Sequence, residues 1–283
     1  MEATATAGPG SGLGREDLEL TLLLEGIYRQ YGPDFRRYAR ASLRRRVQRR
    51  VAAEGVATVT GLLERVLHDP ATMERLLLDL SISVTSMFRD PSFFRAFRDK
   101  VVPVLRTYPF LRVWNAGCST GEETYSLAIL LHETGLLGRS RIYATDMNAR
   151  ALAAAVDGVY PLAKMREYTE NYLAAGGTRA FSDYYATAYE RGRFDRMLVE
   201  NVVFAQHDLV ADRSFNEFHV ILCRNVLIYF QRGLQEQVHE LFLDSLVPLG
   251  ILGLGAKETV RHLRQAPRYE PVDEDQRIYR RTA

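Results

Sequence analysis

The chain has 283 residues, 47% of them hydrophobic, which suits one large domain or two modest ones with a real core. A formal net charge of +2 excludes a strong global field for nucleic acid, so any basic partner surface is local. Two cysteines, Cys118 and Cys223, and six scattered histidines without HExxH or CxxC spacing exclude a disulfide scaffold and predict no metal site.

Residues 1–16, rich in Ala, Thr, Gly, Ser and Pro, read as a disordered tail. No run approaches the ~18–20 apolar residues of a membrane span, and no basic stretch leads into an apolar core, so a cytoplasmic protein without membrane insertion is expected.

Residues 17–95 read as an all-helical domain, with 96–110 as a linker. Leu18, Leu22 and Leu23 begin an apolar face, and Gly32 and Pro33 punctuate. Asp34 is expected to cap a long helix in which Phe35, Ala39, Leu43, Val47 and Val51 recur every fourth residue until Gly55 ends it. Its other faces carry Arg36, Arg37, Arg40, Arg44, Arg45, Arg46, Arg49 and Arg50. Such a run is either a solvated face whose stems cover apolar surface or a footprint for an acidic partner. Few aromatics interleave, Tyr38 apart, which favours an acidic helical protein over single-stranded nucleic acid. Shorter helices are expected over 58–67 and 71–80, and Pro91 suits the first turn of one reaching to about Lys100. Between them, SISVTSMFRD (81–90) is either a connector whose Asp90 caps that helix or a segment whose Thr85 and Arg89 reach across the mouth of a site.

From residue 111 to 283 the pattern changes to an α/β domain. LRVWNAGCSTGEE (111–123) reads as a buried strand, a tight loop of small residues and a helix start. In a doubly wound sheet this turn lies at the strands' carboxyl ends, where missing side chains let a ligand approach the backbone. It lacks the lysine of a phosphate loop and the GxGxxG of a dinucleotide fold. Glu122 and Glu123 would repel a pyrophosphate but suit an ammonium, ribose hydroxyls or a sulfonium, the groups of S-adenosylmethionine. Dipole-favoured acids at a helix start are the alternative.

RIYAT (141–145) predicts the next strand, ending in Asp146, Met147 and Asn148 before a helix over 149–156. An acidic residue there, about 20 residues past a glycine turn, is where nucleotide folds bind ribose hydroxyls, although Asp146 is also a candidate helix cap. Residues 160–202 read as a small α+β insertion, with strands expected over 193–199 and 201–206. FHVILCRNVLIYF (218–230) begins as a buried strand whose Arg224-Asn225 pair, costly in an apolar run unless partnered, marks the ligand edge. A helix over 231–246, a turn at Pro248-Leu249-Gly250 and strands over 251–255 and 276–281 complete the domain.

Together SVTSMFRD, AGCSTGEE, ATDMN and CRNVLIYF, behind an arginine-rich helix, closely resemble the bacterial chemotaxis receptor methyltransferases, the CheR family. The resemblance runs from about residue 17 to 281. It implies a helical domain joined to a doubly wound, Rossmann-like methyltransferase domain with a small β-insertion. It also implies methyl transfer from S-adenosylmethionine to glutamates on chemoreceptor helical bundles, leaving S-adenosylhomocysteine. Residue by residue, it assigns Ser83, Thr85 and Arg89 to the cofactor's methionine end, and Ala116 and Glu123 to its amino-acid portion. Asp146 goes to the ribose, Met147 beside the adenine, and Asp208 and Leu209 to the other side of the base. Arg224 and Asn225 line the methyl-donor site and Tyr229 faces the reacting centre, with Arg89 and Tyr229 in the catalytic roles. Arg46, Arg49 and Arg50 are assigned to the receptor, and a monomer is expected. Thr124, Asp208 and Lys257-Glu258 depart from the family's usual residues. Competing readings are a methyltransferase acting on nucleic acid or a small molecule, and a cofactor-binding signalling module without activity.

Overall fold

In a computed structural model, residues 14–81 and 85–282 are described, so Ser83 lies outside the described residues. The chain divides after Ser81 into two compact units.

The first unit is helical: α1 (Arg15–Tyr31), α2 (Arg40–Glu54), α3 (Val59–His68) and α4 (Pro70–Leu80). Each buries residues three or four apart, such as Leu20, Leu23, Leu24 and Ile27 of α1 and Leu43, Val47 and Val51 of α2, which gives one apolar stripe per helix. Thr58 caps α3 by accepting from the Gly61 N–H, and Asp69 caps α4 with Pro70 in the first turn. Asp34 does not cap α2, which starts only at Arg40. Its carboxylate instead accepts from the backbone N–H of Arg36 at 3.0 Å and from that residue's guanidinium at 2.9 Å, closing a turn.

Much of the arginine face is engaged within this unit. Arg36 pairs with Asp34 and Glu25, Arg44 with Asp17, and Arg49 and Arg50 converge on Asp79. Arg46 is buried and donates to the Leu80 carbonyl at 2.7 Å. Its guanidinium therefore points inward rather than toward a partner, whereas the Arg49 side chain remains 67% exposed.

In the second unit, α5 (Pro91–Ala96) runs through a π-helical turn (Phe97–Val101) into α6 (Val102–Leu105). Pro103 in that last turn cannot donate to a carbonyl four residues back, which accounts for the widened turn before it. Residues 96–110 are thus no linker. Phe88, Phe93, Phe94, Phe97, Val101 and Leu105 are buried in one core with Leu111, Val113, Leu127 and Leu222, so the boundary falls at 81/82 rather than near 95. Asp90 does not cap α5 either: it has a left-handed φ of 55° and its carboxylate goes elsewhere.

A seven-stranded sheet runs β6 (Val202–Gln206), β2 (Ser140–Asp146), β1 (Leu111–Ala116), β7 (Phe218–Cys223), β8 (Leu246–Leu254), β10 (Ile278–Arg281), β9 (Tyr269–Asp273). The first five are parallel and β10 is antiparallel to both its neighbours. Helices α7 (Glu122–Glu133), α8 (Ala149–Asp157) and α10 (Arg232–Ser245) follow β1, β2 and β7. The strand order reverses between β1 and β7, the place where open α/β sheets take ligands. Side chains alternate across β1: Val113 enters the core shared with the phenylalanines, and Trp114, donating its indole N–H to Thr145, packs on Phe218 and Phe242.

The insertion holds α9 (Met165–Ala174) and a three-stranded antiparallel sheet, β3 (Val159–Pro161), β5 (Arg191–Phe194), β4 (Tyr185–Ala188). The strand expected over 193–199 stops at Phe194, because Asp195 caps a 3-10 turn over Arg196–Leu198. Pro248-Leu249-Gly250 is a bulge within β8 rather than a turn before it: Phe218 faces Leu246 while Val220 faces Ile251, and Leu249 takes a φ of 63°.

Candidate functional site

Several sequence-selected residues come together at the carboxyl ends of β1, β2, β6 and β7. After β1 the chain enters 117–121 with Gly117 at φ 76°, where a Cβ would stand 2.5 Å from Val226 Cγ2. A larger residue there would push apart the loops following β1 and β7. The N–H groups of Gly117 and Cys118 donate to the Thr145 carbonyl at the end of β2, and the Ser119 N–H to Asp146 Oδ2 at 2.9 Å. Asp146 Oδ1 accepts from the Asn148 N–H at 2.9 Å, and Asn148, not Asp146, caps α8. Burial pushes the Asp146 carboxyl up while these N–H donors pull it back. The His207 N–H donates to the Asp146 carbonyl and Gln206 to the Met147 carbonyl, which sets Asp208 and buried Leu209 beyond the end of β6 beside β2. Burial raises the Asp208 carboxyl too, opposed by the Val210 N–H. Cys118 is a buried thiol, raised by burial and by Asp146, and so kept protonated.

Arg224, directly after β7, ties the mouth together with its side chain 1% exposed. Nη1 donates to Glu123 at 2.8 Å, and Nη2 to Asp90 at 2.8 Å and to the Arg89 carbonyl at 3.0 Å. Its guanidinium lies 4.1 Å from the Phe93 ring centre. Glu123 in turn accepts from Asn115 at 2.9 Å, and Asn115 from Thr124 at 2.6 Å. These bonds bring half-buried Arg89 to the ends of β1 and β7, with Thr85 half-buried on the same segment. Phe88 and Asp90, either side of Arg89, and Asn225 all hold positive φ, a strain that surrounding structure must sustain.

Glu258 supplies part of that support. It is 5% exposed, and its carboxylate accepts N–H bonds from Gly255, Asn225, Leu227 and Ile228 at 2.6, 3.0, 2.7 and 3.3 Å. It therefore shapes both Asn225 and the 3-10 turn carrying Tyr229 (Leu227–Tyr229). Read from sequence, Glu258 has no role, Asp90 is a candidate cap in one of two readings, and Asn115 does not stand out. The available signal was the charge of Arg224 in an apolar run, which demands acidic partners without saying which.

Residues 83–275 match the family described as CheR methyltransferase, SAM binding domain, and residues 18–81 the CheR methyltransferase, all-alpha domain. The chain belongs to the CheR methyltransferase family. It is 50% identical over 94% of its length, and 97% of the relative's, to Cher3 of Pseudomonas putida, which carries a methyltransferase's name. It is also 29% identical to a chemotaxis protein methyltransferase of Listeria innocua, covering 83% of this chain and 87% of that one. With the chemotaxis protein methyltransferase of Escherichia coli the identity is 28%, over 89% and 88%.

This CheR methyltransferase uses S-adenosylmethionine, and its residues fit that group. Carboxylates of Glu123, Asp146 and Asp208 along one sheet edge suit an ammonium and ribose hydroxyls. Ser119 Oγ is buried at the same loop and makes no hydrogen bond among the described residues. When bound, the cofactor supplies a methyl group on a positively charged sulfur.

Proposed function

We propose that the protein methylates glutamate side-chain carboxylates of chemoreceptors, as a cytoplasmic monomer acting in sensory adaptation. The observation that carries this reading is the Arg224 clamp, whose bond to the Arg89 carbonyl draws Arg89 to the donor edge beside Asn225 and Glu123. There Arg89 orients the incoming carboxylate and Tyr229 shapes the donor end. Glu123, Asp146, Met147, Asp208 and Leu209 hold the cofactor, with Ala116 at its amino-acid portion and Thr85 at its methionine end.

A glutamate carboxylate, with an ordinary pKa of about 4.3, is ionised at pH 7 and needs no general base. One oxygen–carbon bond forms as one sulfur–carbon bond breaks. The chain's contribution is then in-line positioning, which supplies roughly 7–11 kcal/mol in favourable cases. The names of the Listeria and Escherichia relatives support the chemotaxis assignment. Among the described residues no helix is long and apolar enough to cross a membrane. For the receptor's helical bundle, Arg49 is the contact from α2, in preference to buried Arg46 and to Arg50, because the Arg50 side chain is only 16% exposed against 67% for Arg49.

The test is transfer of labelled methyl from S-adenosylmethionine to a purified cytoplasmic receptor fragment, followed by base. Release of volatile methanol is the expected result, and Arg89→Ala should lose it while remaining folded. Base-stable label, or no label on any receptor of the organism, would sink the glutamate assignment.

A further inference from the structure

The glycine loop is fastened from one side by the insertion. Glu122, the first residue of α7, is 2% exposed, yet its carboxylate does not face the β7 end as Glu123 does. One oxygen accepts the Thr120 hydroxyl at 2.6 Å, and the other the Tyr168 hydroxyl of α9 at 3.2 Å, with Lys164 Nζ 3.9 Å away. Tyr160 donates its hydroxyl to the Thr120 carbonyl at 2.8 Å. Gly121, at φ 93°, has Ala155 and the Tyr160 hydroxyl where a Cβ would go.

The same helix holds the opposite wall. Asn171 Nδ2 donates to the Met87 carbonyl at 3.1 Å, Glu167 accepts the Ser86 hydroxyl at 2.5 Å, and the Tyr172 ring packs edge-on to Phe88 at 5.3 Å. Ser126 of α7 joins the two walls, donating to the Glu122 carbonyl and accepting the Phe88 N–H.

We propose that α9 is a positioning element for the cofactor. Tyr168, through Glu122 and Thr120, fixes the 117–121 loop, while Asn171, through Met87, fixes the segment carrying Arg89. A buried carboxylate that loses a hydroxyl donor must draw in another, as Lys164 could supply, or shift and take hydrogen-bonded Thr120 of the loop with it. Tyr168 and Asn171 are positioning residues because their hydrogen bonds go to Glu122 and to the Met87 carbonyl, neither of which is assigned to the cofactor. The proposal rests on cofactor use alone, so failure of the receptor assignment leaves it standing.

A control exists within the same insertion. Tyr184 also gives its hydroxyl to a buried carboxylate, Glu133 at 3.0 Å, but at the far end of α7 from the loop. Calorimetric titration of the full chain with S-adenosylhomocysteine should show Tyr168→Phe binding about tenfold more weakly and Tyr184→Phe within about twofold of the parent. Melting temperatures of the two variants establish that both are folded, and Asn171→Ala should weaken binding in the same direction as Tyr168→Phe. Unchanged affinity in Tyr168→Phe, or equal losses in Tyr168→Phe and Tyr184→Phe, would overturn the positioning role.

Discussion

Acidic side chains of the helical unit and those around the candidate site are tuned in opposite directions, whereas elsewhere in the α/β unit, against burial, Tyr172 and Arg98 hold Glu133 low and Lys100 holds Asp273 low. In the helical unit, Arg29 and Arg36 hold Glu25 below the ordinary carboxylate range, Arg36 does the same for Asp34, and Arg75 followed by Arg50 for Glu54. In the α/β unit, burial pushes Glu122, Asp146, Asp208 and Glu258 above that range, with hydrogen-bond donors only partly restoring it. The first group supports folding above the ordinary carboxylate pKa, and that support is lost as pH falls through the lowered values. For the second, the folded state binds protons more tightly than the unfolded one, so stability falls as pH climbs through the raised values. The helical unit's carboxylates are partly buried beside guanidiniums, whose hydrogen bonds outweigh the cost of desolvation. Site carboxylates are dehydrated, and a dehydrated acceptor is what a cofactor's ammonium and hydroxyl groups can satisfy.

Arginine follows the same division. Arg224 is one residue, but it has three hydrogen bonds, two acidic partners and almost no exposure. Arg224→Ala leaves Glu123 in a buried place without its cation, so a loss of about 3–5 kcal/mol is expected by denaturant unfolding, together with cofactor binding. A loss below 1 kcal/mol would erase the contrast between the units.

His239 sharpens it from the basic side. It is 1% exposed beside Tyr269, and burial holds its imidazole down to about 4. The folded protein therefore resists protonation that the unfolded chain accepts, and stability drops as pH falls from about 6.5 toward 4, by about 3 kcal/mol in all. In His239→Gln the dependence of unfolding free energy on pH across that window should flatten by this amount. An unaltered slope would assign the window to other groups.

Glu258→Gln replaces two acceptor oxygens by one and turns an amide N–H toward backbone N–H groups. About 1–3 kcal/mol should be lost, with cofactor affinity falling because Asn225 and the Tyr229 turn lose their anchor. Melting curves and calorimetric titration check both. The smallest effect belongs to the helical unit: Arg49→Ala, at a 67% exposed side chain, should change stability by less than about 1 kcal/mol despite its 2.5 Å pair with Asp79.

Local pattern made much of this legible. Helices α3 and α4, the strand and loop at 111–121, the strands ending in Asp146 and Cys223, and α10 all follow from periodicity, caps and glycines. Strands β4 and β9 did not. Tyr185–Ala188 is mostly exposed at the edge of a three-stranded sheet, and Tyr269–Asp273 lies at the edge of the main one, so neither carries a full apolar run. Arg46 looked like its neighbours in a charge run, yet its position on α2 points it at the carbonyl end of α4.

By itself the sequence determined the order of helical and α/β regions, the glycine loop, the acidic strand ends and the family resemblance, because each is read from local periodicity or short motifs and their order along the chain. Only the tertiary structure decided that Asp90 serves Arg224 rather than α5, that Glu258 anchors the Asn225 turn, that residues 87–105 belong to the sheet's core, and that Glu122 faces the insertion while Glu123 faces β7. A buried charge demands a partner, but many acidic residues of the chain meet that demand equally well in one dimension. Which of them does so is set by the packing of distant strands and helices, because desolvation removes every competing partner, water included.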